Sequence, residues 1–195
     1  IDTDIIEFNA SDATLDESNF TSVGRSPVME THGRYQPGGA AVAYFSTRSG
    51  SEQLWITEGE TSRQLSQLPA ESQLKGVLWS ADGKQLLLLA GNSLSLYSLD
   101  GEVRHLAVDV LVEKIHQWHA SDSVLISVIN NGTIFIEELN LSTLKTKRLP
   151  LVNVTSIRSF STNQYIYSDS NRSVYQASLG SDKPVINKIH GLDTN

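Results

Sequence analysis

Five histidines, His32, His105, His116, His119 and His190, are the side chains best suited to proton transfer or metal binding near neutral pH. Only the run His116-Gln117-Trp118-His119 brings two of them close together. On a strand, residues three apart point to opposite faces, so this pair shares no metal unless a bulge intervenes. Asp2-x-Asp4-x-x-Glu7 offers the closely spaced oxygens that calcium takes, but lacks the glycine and distal Glu of an EF-hand loop. A solvated acidic segment is the simpler explanation. The chain has no cysteine, which excludes disulfides, thiolate zinc sites, iron–sulfur clusters and a cysteine nucleophile. The Gly-x-Ser-x-Gly elbow, the Gly-x-x-x-x-Gly-Lys phosphate loop and the dinucleotide Gly-x-Gly-x-x-Gly are absent too. The expectation is a protein that is not an enzyme, with no catalytic residues, no metal and no cofactor.

The 195 residues leave room for one sizeable domain or two small ones. With 39% apolar and 19% charged residues and a mean hydropathy of −0.20, the balance is that of a globular protein. Net charge is −7, and six acids with no Lys or Arg fall within residues 1–20, so the body is nearly neutral. Without a basic face to neutralise phosphates, the chain is not expected to bind nucleic acid directly. No apolar run approaches the roughly 18 residues of a membrane-spanning helix. Ile1-Asp2-Thr3-Asp4 is unlike a secretory signal, and a start at Ile reads as part of a longer protein, whose other parts can be membrane-anchored.

Any binding group must be positioned by the elements around it, and these repeat. Gly50, Gly91, Gly132 and Asn171 mark turns spaced 41, 41 and 39 residues apart. A second set of turns runs Gly38-Gly39, Asp82-Gly83, Ser121-Asp122 and Thr162-Asn163. Each is preceded by an aromatic, Tyr35, Trp79, Trp118 or Phe160, spaced 44, 39 and 42. A third, weaker set is Gly59, Asp100-Gly101, Ser142 and Gly180. Between the markers lie short β-type runs. Leu86-Leu87-Leu88-Leu89-Ala90 is apolar at every position, as in a strand covered on both faces. Leu94-Ser95-Leu96-Tyr97-Ser98-Leu99 nearly alternates, as in one with a less buried face. No segment holds a helical period. Four strands per 40 residues predict an all-β fold of four β-propeller blades, at about 30–70, 72–109, 112–151 and 153–190.

Residues Tyr35-Gln36-Pro37-Gly38-Gly39, then the apolar Ala40–Ser46, then Arg48-Ser49-Gly50 and Gln53-Leu54-Trp55, resemble the repeat of TolB-like propellers. Trp79-Ser80-Ala81-Asp82-Gly83-Lys84 is a second match, while the third and fourth units keep only the aromatic and the rhythm. The resemblance implies a WD-repeat-like propeller, such as the periplasmic sensor part of CadC-type membrane-bound winged-helix transcriptional regulators. It also leaves open the gating propeller of a prolyl-oligopeptidase-like serine peptidase, or a TolB-like envelope scaffold. Four blades make an uncommonly small ring, so more blades are expected in the parent protein. Residues 1–29 form an acidic lead-in, in which Asp16–Val23 is a candidate outer strand of a preceding or closing blade. Free blade edges would then seek another copy, giving a homo-oligomer.

Inner strands line the channel of a propeller. Counting back from the aromatic markers places Lys75, Lys114, His116 and Arg158 there, a cationic lining suited to an anionic small molecule or an acidic peptide. Alternatively, the same residues sit solvated at strand ends, and the aromatics pack between blades. The expected function is a non-catalytic sensory domain that binds a protein or small molecule on the propeller face.

Overall fold

Apolar runs too short for helices, separated by residues that tolerate left-handed backbone, leave the chain one regular option, the tight antiparallel meander. The computed structural model describes residues 5–8, 20–23, 27–180 and 183–189. Among them lie eighteen strands and no helix. Strands β1 (Ile5–Phe8) and β2 (Phe20–Val23) form a two-stranded antiparallel sheet. Residues 20–23 of the candidate outer strand thus pair with β1, and residues 16–19 lie outside the described part, as do Asp2 and Asp4.

Four four-stranded meanders follow. They are β3 (Glu30–Tyr35), β4 (Val42–Ser46), β5 (Gln53–Glu58) and β6 (Thr61–Gln64); then β7 (Leu74–Trp79), β8 (Gln85–Ala90), β9 (Ser93–Ser98) and β10 (Val103–Leu106). The third is β11 (Val112–Trp118), β12 (Ser123–Asn130), β13 (Thr133–Asn140) and β14 (Thr146–Val152). The fourth is β15 (Val154–Ser161), β16 (Gln164–Asp169), β17 (Val174–Ser178) and β18 (Val185–Lys188). These are four propeller blades, as the repeat predicts. The chain divides into two compact units, one with the first blade and most of the second, the other with the third and fourth.

In the first unit Phe45, Leu54, Ile56, Val77, Leu86, Leu88 and Tyr97 form one apolar cluster. All of Leu86–Leu89 is buried, so β8 is covered on both faces. In the second unit Leu125, Ile136, Leu149, Ile157, Tyr165 and Tyr167 do the same, and Tyr167 stacks on Tyr175 at 5.0 Å. The aromatic markers divide. Trp79 is buried, and its indole N–H donates to the Arg34 carbonyl on β3 at 2.8 Å. Tyr35 and Phe160 are 50% and 54% exposed, so they are not buried packing between blades.

The Asp-Gly of the TolB-like motif has a specific task in the first unit. Gly83 sits at φ +68, and a Cβ there would lie 2.6 Å from the Pro37 carbonyl oxygen. The Gln36 amide donates to the Gly83 carbonyl at 2.8 Å, so the turn before β4 is latched onto the turn before β8. Gly91 has a similar φ of +57 but nothing within 4 Å. Gly91→Ala is therefore expected to cost about 1 kcal/mol, from backbone strain alone. Gly83→Ala should cost about 2 kcal/mol, because the clash with immovable backbone adds to that strain. Urea unfolding of the two variants checks this, and equal losses would refute the latch.

Candidate functional site

Three of the predicted lining residues come together in the second unit. Lys114 and His116 lie on β11 and Arg158 on the neighbouring inner strand β15. The Lys114 ammonium donates to the Thr155 carbonyl at 2.9 Å, and the Arg158 guanidinium donates to the His116 carbonyl at 2.7 Å. Gln117 adds two bonds, accepting from the Ser159 N–H at 2.7 Å and donating to the Ser159 carbonyl at 3.1 Å. The partners are 41 or 42 residues apart, the period of the repeat. Polar side chains of the inner strands therefore stitch one strand to the next. Lys75, on β7 in the first unit, is half-buried.

His116 points into its own blade. It is 4% exposed, and its Nε2 lies 2.7 Å from the Ser127 hydroxyl on β12. Burial, reinforced by the charges of Lys114 and Arg158, pushes its pKa down to about 4. At neutral pH His116 is uncharged, so it adds no positive charge to a channel lining. His119 goes elsewhere, and the two imidazoles share no site. Among the described residues no group of three or more His, Cys, Asp and Glu side chains is placed to hold a metal ion.

His119 and Glu138 belong to a cleft of about 420 Å3 in the second unit. One wall is the end of β11 and β13, the other the turn from β15 into β16, where Phe160, Ser161, Thr162 and Asn163 line it. His119 Nε2 is buried and lies 3.3 Å from Glu138 Oε1, yet outside hydrogen-bond geometry. A buried polar atom left without a partner costs about 1–3 kcal/mol. Tyr165 forms part of the floor, and burial together with the Glu138 charge pushes its phenol pKa up.

The pair is a local departure from the repeat. Tyr35 pairs with Val42 and Val42 with Thr57, just as Trp118 pairs with Val124 and Val124 with Leu139. By this register His119 occupies the position of Gln36, and Glu138 that of the buried Ile56. A carboxylate stands where the first blade buries an isoleucine. The sequence hinted at this only through one strand position whose polarity breaks with its counterpart in another repeat.

In the first unit, the Arg48 of the TolB-like Arg-Ser-Gly turn is structural. It pairs with the buried Glu30 and lies over the Trp55 and Tyr44 rings, 4.7 and 5.4 Å from their centroids. No protein-family model matches the sequence, and no curated protein matches it. Solved structures do match. A chain of a nidogen/laminin complex superposes with a TM-score of 0.68 at 9% identity, covering 94% of this chain and 74% of that one. The oligogalacturonate lyase in complex with manganese gives 0.69 at 12% identity, covering 95% of this chain and 59% of its own. TolB from Acinetobacter baumannii gives 0.66 at 14% identity, covering 92% of this chain and 48% of its own. The fold is that of a β-propeller. At these identities the likeness is one of fold alone, and it includes the TolB fold that the first two repeats resemble. The chain spans about half of TolB and somewhat more of the lyase. No helix among the described residues is long and apolar enough to cross a membrane.

Proposed function

We propose that the chain is a non-catalytic recognition domain, the periplasmic sensor part of a membrane-bound transcriptional regulator. The observation that carries the recognition role is the cleft between His119 and Phe160, which is open, of mixed polar and apolar lining, and set at the ends of strands β11, β13 and β15. Lys114 and Arg158 already bond backbone carbonyls, whereas this cleft, like a second recess of about 490 Å3 in the first unit lined by Gln36, Ile56 and Arg63 among others, is open to a small ligand. An anion would instead be drawn to the inner strands, to Lys114 and Arg158 in the second unit or to Lys75 in the first. A ligand or protein partner acts by binding one conformational or oligomeric state better than another, and shifts the equilibrium by that difference in affinity.

The regulator role is tested by reading the coding sequence on both sides of this segment. An upstream winged helix followed by one apolar stretch of about 20 residues is the expected result. A downstream Gly-x-Ser-x-Gly with later Asp and His would instead make the chain the propeller of a peptidase. The likeness to TolB favours a second reading, an envelope scaffold that recognises protein, and neither flanking signature would leave that one standing.

A further inference from the structure

We propose that the cleft of the second unit binds a neutral saccharide, held between Glu138 and His119 on one side and the Phe160 ring with Asn163 on the other. This rests on the reading of the chain as a recognition domain and names the ligand class for it.

Charge decides what the cleft can take. Among the described lining residues there is no Lys or Arg, and Glu138 is the one carboxylate. Phosphate, sulfate and carboxylate ligands would meet an anion with no compensating cation, and are disfavoured. An amine would satisfy Glu138 but would give the two hydroxyls and the amide of the Ser161–Asn163 turn no role. A sugar serves both walls. Each ring hydroxyl both gives and receives a hydrogen bond, so some can meet the Glu138 carboxylate and others the turn.

The opposite wall completes the match. Phe160 is 54% exposed, and its ring offers an apolar platform to the C–H face of a pyranose. Beside it the exposed turn Ser161–Asn163 supplies two hydroxyls and an amide. Asn163 is held at φ +55, and its carbonyl accepts from the Leu179 N–H at 2.9 Å, so the turn is fixed to β17's far end rather than free. A volume of about 420 Å3 falls within the range of about 300–1,000 Å3 usual for small-molecule sites. An aromatic ring and hydrogen-bonding groups on one wall, facing a single carboxylate with no Lys or Arg near it, suit a neutral sugar better than an anion.

The test is titration of the full chain with glucose, galactose, N-acetylglucosamine, maltose and cellobiose, followed by calorimetry and by saturation transfer to the sugar protons. Putrescine and sulfate serve as the cationic and anionic probes. At least one sugar is expected to bind, and Phe160→Ala and Glu138→Gln should each weaken it by about tenfold or more. Phe160 is exposed, so its variant should unfold at the wild-type urea midpoint, which separates lost binding from lost folding. The proposal is overturned if no sugar binds, if both variants bind as wild type does, or if putrescine displaces the sugar at lower concentration. Failure here leaves the recognition role standing, whereas hydrolysis of peptides or esters by the purified chain would overturn that role even if a sugar bound.

Discussion

Arg148→Ala should destabilise the protein by about 3–5 kcal/mol, although the arginine is nearly half exposed. Its partner is the reason. Glu137 lies on β13 directly opposite Arg148 on β14, with its side chain only 5% accessible. Both Nε and Nη2 of Arg148 donate to Glu137 Oε1, at 3.0 and 2.8 Å. The guanidinium also lies over the Phe135 ring at 3.9 Å. In the intact pair, the arginine gains little from Coulomb attraction, because water screens its outer half. Removing it leaves a carboxylate that was only 5% accessible without the guanidinium that satisfied it, and that uncompensated charge dominates the loss.

The same logic separates the pair from its parts. Arg148→Met keeps an apolar stem against Phe135 and still strands Glu137, so it should lose nearly as much as Arg148→Ala. The double variant Glu137→Gln with Arg148→Met removes the charge and should recover more than half of the loss. Urea unfolding with unchanged denaturant dependence is the measurement. A loss for Arg148→Ala below about 1 kcal/mol would show an ordinary surface ion pair instead. Arg48 with Glu30 in the first unit repeats the device, a buried glutamate covered by an arginine laid on aromatic rings.

The blades were legible because turn residues and apolar runs are local signals. Leu86–Ala90 had to be a strand buried on both faces, and Gly50, Gly91 and Gly132 do hold positive φ at the hairpins that they mark. Gly59 and Gly101 of the weaker set do so too. Two other markers fared differently: where Ser142 marked a turn, the left-handed residue is Leu144, and where Asn171 did, it is Arg172. In the first case Asn140 explains it: its side-chain oxygen accepts from the N–H groups of Ser142 and Thr143 at 3.1 and 2.7 Å. A side-chain cap fixed the turn, and the leucine followed. Site geometry was less legible for a different reason. One register shift on β11 falls at His116 itself, between Ile115 and Gln117, and another lies just before Lys114; such bulges leave no trace in periodicity. Its side chain meets Ser127 inside the blade. Glu137 and Glu138 look alike in sequence, yet alternation sends one to Arg148 and the other to the cleft.

The burial of His116 makes stability depend on pH in a window of its own. In the unfolded chain the imidazole titrates near 6.5, in the folded one near 4. Between these values the unfolded state binds a proton that the folded state refuses, so stability falls as pH falls. Each pKa unit is worth about 1.4 kcal/mol, so the full loss approaches 3 kcal/mol by about pH 4 and then levels off. His116→Gln keeps a hydrogen-bonding group near Ser127 without a titratable one, and its stability should be nearly flat where wild type declines. Asp82 and Asp100 are held below the usual 3.8 by hydrogen bonds from Ser80 and Ser98 and from backbone N–H groups; at Asp169 desolvation is the largest single influence, and bonds from Ser173, Tyr175 and Asn171 together outweigh it. Their support begins to fall at about pH 5 and is lost mainly below about pH 4, so it overlaps only the lower end of the His116 window and cancels in a comparison of wild type with the variant. The difference between wild-type and variant curves from pH 7 to 4 isolates His116. Parallel curves, or a His116 proton resonance titrating near 6.5 in the folded protein, would mean that water reaches the ring and that β11 does not seal its bulge.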